Sequence, residues 1–149
     1  MFISQLIIGA LLIILTVIIH AVALDRLMQV LERYAPSIFK KCPKFWKVPI
    51  LTITVLGVFA AHIVQIWLWA VFYLAVNALP NLEEALYFST STFTTVGFGD
   101  IVLDRAWRLL SSFQSANGFI LFGWSTAFIF EVMSKLYKEE PFNKTARKS

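Results

Sequence analysis

The sequence predicts an all-α membrane protein, with three transmembrane helices, a short re-entrant helix and an irregular loop. Three observations carry this expectation. Three apolar stretches, over 3–24, 50–78 and 107–137, are each long enough to cross a bilayer at a helical rise of about 1.5 Å per residue. Of the 149 residues, 58% are hydrophobic and only 15% charged, with a mean hydropathy of +0.73. A soluble domain carries about 25% charged residues, so polar surface is too scarce here to cover a globule and apolar surface must meet lipid. Finally, the polar gap between the second and third stretches holds Thr94-Thr95-Val96-Gly97-Phe98-Gly99-Asp100. Two glycines one residue apart are poor membrane helix and can take positive φ at little cost.

The first unit, 1–35, is read as a transmembrane helix with an amphipathic extension. Its apolar run ends in Ala21-Val22-Ala23, which resembles a signal-peptide cleavage site. No Lys or Arg precedes the run and several follow it, which favours an uncleaved helix. Beyond it, Leu24, Leu27, Met28, Leu31 and Tyr34 share one face at spacings of three and four, and Pro36 is expected to end the helix. Residues 36–49 form a basic linker mixing Lys40, Lys41, Lys44 and Lys47 with Phe39, Phe45 and Trp46. Such a segment suits a cytoplasmic membrane surface with anionic lipid, or a solvated loop that only sets topology. Cys42 is the single cysteine, so no disulfide forms within the chain, and an inert thiol is expected.

The unit from 50 to 137 contains the remaining elements. The second run collects Trp67, Trp69, Phe72 and Tyr73 toward its end, as aromatic belts do at an interface. Inside it His62 and Gln65 lie three apart on one face, suited to interhelical hydrogen bonding, while His20 is expected to be a packed, neutral histidine. Asn81 followed by Glu84 is a helix start. The helix from there to about Thr94 is too short to span and fits a re-entrant segment surrounded by protein. After a polar return loop, the third span holds Gly118 and Gly123. Glu131 is a charge at membrane depth or at its edge, facing water or a lysine. Residues 138–149 form a short basic tail expected in the cytoplasm.

Lys and Arg give an independent topology: six fall in 25–49, five in 135–149 and two in 79–108, of 13 in all. The positive-inside rule puts the linker and tail in the cytoplasm, and the N-terminus and the Gly-rich segment outside. The net charge of +4 therefore reads as topology and not as a nucleic-acid surface. No His/Glu/Cys cluster with metal-ligand spacing, nucleophile–base pattern or phosphate loop is present, so no enzyme activity, cofactor or small-molecule substrate is expected.

Thr95-Val96-Gly97-Phe98-Gly99-Asp100 resembles the selectivity-filter signature of potassium channels, which usually reads Thr-Val-Gly-Tyr-Gly-Asp. The likeness extends back through Ala85–Thr94 and forward into Trp107–Phe130, and is of the two-transmembrane pore-domain type with one extra N-terminal helix. The resemblance implies a homotetramer in the cell membrane. Its filter would be lined by the carbonyls of Thr95, Val96, Gly97 and Phe98, by Gly99, and by the Thr95 hydroxyl, with K⁺ as permeant ion. Tyr87, Ser91, Thr94 and Asp100 would support the filter. Gly118, or less well Gly123, would be the hinge of the inner helix, although Gly118 could equally be a close-packing glycine. If Gly118 lies near the pore, Phe122, Thr126 and Phe130 would line it below.

Two departures stand out: Phe98 replaces the usual Tyr, and Ser91 stands where many relatives have Glu. Asp100 is left to pair with Tyr87 or with water, and a looser filter is expected. The alternatives are a weakly selective cation channel, a potassium transporter subunit or a non-conducting membrane partner. The first helix has no Arg repeat, which argues against voltage sensing.

Overall fold

A computed structural model describes residues 2–41 and 43–138. It contains four helices in the order α1 (Phe2–Lys41), α2 (Lys47–Ala75), α3 (Leu82–Phe93) and α4 (Arg108–Lys138), and no strand among the described residues. Cys42 and the tail from 139 onward lie outside the described residues.

The helices α1, α2 and α4 are long and apolar enough to cross a membrane. α1 is amphipathic in the inverted sense that lipid requires. On α1 the exposed stripe is Ile3, Ile7, Leu11, Ile14, Ile18 and Val22, whereas the buried face carries Gln5, Gly9, Thr16 and His20. Polar groups gain most by turning to one another where water is absent, and small residues let helices approach.

Two boundaries differ from expectation. α1 does not end at Pro36 but continues to Lys41, and α2 begins at Lys47, so most of the expected 36–49 linker is helical. Proline forfeits one backbone bond and crowds the turn before it, yet tertiary packing outweighs this. Ile38 packs onto a core cluster built from Leu24, Leu31, Trp46, Ile50, Val58, Phe128, Val132 and Leu136, and Phe39 sets its ring edge-on to Trp46 at 5.3 Å. The expected membrane charge Glu131 is exposed and pairs with Lys135 one turn on, at 3.4 Å.

A second apolar cluster holds Trp69, Tyr73, Leu79, Ala85, Phe88, Phe93, Leu103, Leu110 and Leu121, joining α2, α3 and α4. Within it one polar knot seats α3. Gln114 of α4, fully buried, accepts from the Tyr73 hydroxyl at 2.9 Å and donates to the Ser89 hydroxyl at 2.8 Å. Ser89 in turn donates to the Ile66 carbonyl at 2.7 Å. Gln114→Leu keeps the volume but orphans the Tyr73 hydroxyl. It is expected to cost about 2 kcal/mol, read as a lower unfolding midpoint by circular dichroism in detergent; an unchanged midpoint would show that the knot does not hold α3.

Candidate functional site

α3 starts where its sequence says it should. The Asn81 side chain accepts from the Glu84 amide and donates to the Glu84 carboxylate, both at 2.9 Å, a reciprocal cap that satisfies an otherwise orphaned amide. Its other end is finished by the segment that follows. The Thr94 hydroxyl donates to the Thr90 carbonyl at 2.7 Å, the Thr95 amide to Thr92 at 3.0 Å, and the Gly97 amide reaches back to Ser91 at 3.1 Å. From α4, Ser115 donates to Thr92 at 3.0 Å. Loop amides and hydroxyls are thus spent on the end of the helix.

The backbone then alternates. φ is +63° at Thr95, +55° at Gly97 and +81° at Gly99, and negative at Val96 and Phe98 between them. Positive φ at every second residue turns successive carbonyls to the same side, unlike a strand. No hydrogen-bond donor among the described residues reaches the carbonyls of Thr95, Val96, Gly97 or Phe98. All residues from Thr95 to Asp100 are exposed, Val96 by 55% and Phe98 by 69%. The glycines foretold this turn, but the left-handed Thr95 was not anticipated. A β-branched residue rarely adopts that conformation, and here its amide bond to Thr92 holds it there.

Asp100 is tied by the Tyr87 hydroxyl, which donates to Oδ2 at 2.7 Å, and by the Ile101 amide at 3.0 Å. The Tyr87 bond holds the Asp100 carboxyl below the usual carboxylate range and raises the Tyr87 hydroxyl. The same Tyr87 ring stacks on Phe98, with centroids 6.2 Å apart and planes 13° off parallel. The Ser91 hydroxyl donates to the Phe88 carbonyl at 3.2 Å and not to Asp100, and Ser91 serves the loop through its own carbonyl.

Within one chain the expected hinge and lining residues of α4 divide between two faces. Gly118 does not face open space: a Cβ there would overlap the carbonyl oxygen of Phe93. Phe122, one turn on, follows that face inward and packs on His62 at 4.6 Å and Phe93 at 5.6 Å. Four residues advance a helix by about 40° beyond a full turn, so the row rotates outward. Thr126 is exposed, and Phe130 is 65% exposed. Gly123, with nothing within 4 Å of a Cβ, lies on the open face together with Phe119 and Ile120.

A short helix whose carboxyl end meets a run of unpaired carbonyls, held between membrane-length helices, is the construction of an ion-conducting membrane protein. Residues 50–135, more than half of the chain, match the family model described as ion channel. The chain belongs to this family, the pore domains of the two-transmembrane potassium-channel type. Neither the curated proteins nor the solved structures contain a match to it.

Proposed function

We propose that the protein is a potassium-selective channel in which four copies bring their 95–99 segments together around one axis. The alternation of φ at Thr95, Gly97 and Gly99 carries this reading. One chain offers a single column of carbonyls, and a bare cation needs oxygens on all sides to replace its water. The exposed Val96 and Phe98 side chains supply apolar surface for neighbouring copies. The α3 carboxyl end adds partial negative charge below the column. The charge distribution orients the chain with its N-terminus and the filter outside and its carboxyl end in the cytoplasm. Lys40, Lys41 and Lys44 beside the exposed rings of Phe39 and Phe45 suit anionic headgroups at the inner surface.

Reconstitution into K⁺-loaded liposomes tests the reading. ⁸⁶Rb⁺ uptake and a bi-ionic reversal potential near the K⁺ limit are expected, with four chains per particle by native mass spectrometry. A reversal potential near zero for K⁺ against Na⁺ would instead identify a weakly selective cation channel, and absence of uptake a non-conducting subunit.

Tyr87→Phe removes the one hydroxyl that steadies both Asp100 and the ring beneath Phe98. Openings are expected to shorten several-fold. The Asp100 carboxyl, whose bond to Tyr87 persists until acid protonates it below the ordinary aspartate range, should titrate at higher pH in the variant. Single-channel records and ¹³C-carboxyl titration check these outcomes; unchanged open times would show that Tyr87 plays no part in holding the filter.

A further inference from the structure

Between the two apolar clusters lies a layer of four buried polar side chains drawn from all three spans: His20 of α1, His62 and Gln65 of α2, and Ser125 of α4. They touch in sequence. Gln65 Nε2 meets His20 Nδ1 at 3.0 Å and His20 Nε2 meets Ser125 Oγ at 3.2 Å. Ser125 Oγ meets His62 Nε2 at 2.9 Å, and His62 Nδ1 returns to Gln65 Oε1 at 3.2 Å. The two imidazoles stack with centroids 5.2 Å apart.

The donors and acceptors of this cycle can be counted. An amide nitrogen only donates, so His20 Nδ1 accepts from Gln65. A neutral imidazole has one N–H, so His20 Nε2 carries it and donates to Ser125. The serine has a single proton, which goes to His62 Nε2. His62 must then hold its own proton on Nδ1, where the Gln65 carbonyl, an acceptor only, receives it. The ring closes with four protons for four contacts and with the histidines in opposite tautomers. Turning the Gln65 amide over reverses the circulation and swaps the tautomers, which remain opposite.

A fifth proton can be held only if Ser125 accepts from both imidazoles and turns its own proton out of the ring, which leaves one imidazole charged. The imidazolium left behind would find no counter-charge. The rings of Trp124 and Phe122 from α4 and of Phe93 from α3 pack against the two imidazoles, and the nearest further polar pair on α1 and α4, Thr16 and Asn117, is uncharged. No Asp, Glu, Lys or Arg lies on α1 before Asp25, on α2 after Lys47, or on α4 between Arg108 and Glu131, and the acids of α3 sit at its far first turn. An unpaired charge among membrane helices draws in water or forces them apart.

We propose that this ring is a proton-operated latch: with both histidines neutral it ties α1 to α4 alongside the buried Asn117–Thr16 bond, and one added proton loosens that joint. α1 lies outside the matched channel region, so the latch gives that helix a regulatory role. The consequence for conduction rests on the channel reading, whereas the latch itself does not.

The chain has only two histidines, so the ¹⁵N-imidazole spectrum of the full protein in bilayers is simple. At neutral pH two neutral rings are expected, one protonated on Nδ1 and one on Nε2, which on acidification leave that state together at one first midpoint, the second proton entering in a later step. In Ser125→Ala the two should titrate separately. In liposomes, Rb⁺ flux of the wild type should change on the order of tenfold across the midpoint, the size of a typical coupling between sites. Flux through the His20→Asn, His62→Asn double variant should be flat with pH. Like tautomers, rings that leave the neutral state at different first midpoints in the wild type, or an acid response that survives the double variant would each overturn the latch. Should the double variant not fold, the wild-type and Ser125→Ala spectra decide. A protein with no Rb⁺ flux at any pH overturns the channel reading instead, and the spectra then decide the latch alone.

Discussion

Gly97→Ala is expected to abolish Rb⁺ uptake while leaving the helical content and the membrane insertion of the chain unchanged. Gly97 sits at φ +55° with nothing within 4 Å of a Cβ, so the damage inside one chain is conformational and not steric. Left-handed backbone costs an L-residue roughly 1–2 kcal/mol. In the proposed ring of four the penalty would fall four times, about 4 kcal/mol at the lower end, which is on the order of a thousandfold in the population of the conducting arrangement. Thr95 shows that the loop can impose the same conformation on an L-residue, and also what that requires: its amide is bonded to Thr92 at the end of α3. The Gly97 amide has a longer reach, back to Ser91, and Gly99 has no such tether. Gly99→Ala should therefore be at least as damaging. Uptake by Gly97→Ala at the wild-type rate would refute the carbonyl column, since the alternation would then be dispensable.

Much of this arrangement was legible in the chain, because the signals are local. Apolar length marks the spans, Asn81 and Glu84 mark the start of α3, and Gly97 and Gly99 mark the turn. Other features depend on neighbours distant in sequence. Pro36 reads as a stop, and only the packing of Ile38 and Phe39 against a core and Trp46 carries the helix past it. His62 and Gln65 announce a polar face, but periodicity gives a face and not a register. Nothing local says that the face meets His20, 42 residues earlier, and Ser125, 63 residues later. The polar layer is visible only once three helices are aligned. The inward packing of Phe122 was hidden for a related reason: its place was inferred from Gly118, and Gly118 marks the face turned toward α3.

That packing makes a second large effect predictable. Gly118→Ala is expected to destabilise the protein by about 3 kcal/mol, the upper part of the range for overpacked cores, and to lose flux with it. The added methyl would overlap the Phe93 carbonyl oxygen and lie 2.9 Å from the Phe93 carbonyl carbon. Backbone at the end of a helix cannot turn aside as a side chain would, so α4 and α3 must separate. Phe93 immediately precedes the cap of α3, and any shift there passes through Thr94 to the loop whose amides bond Ser91 and Thr92. Gly123→Ala makes the opposite case. Its methyl would meet nothing within 4 Å, and alanine favours helix over glycine by about 1 kcal/mol, so the folded bundle should be unharmed or slightly steadier. If α4 bends at Gly123 during opening, this variant keeps its stability and loses open probability. The pair thus separates packing from bending at two glycines five residues apart, through unfolding midpoints and single-channel recordings on the same preparations. A Gly118→Ala protein with the wild-type midpoint would mean that α3 and α4 do not meet as closely as the structure places them.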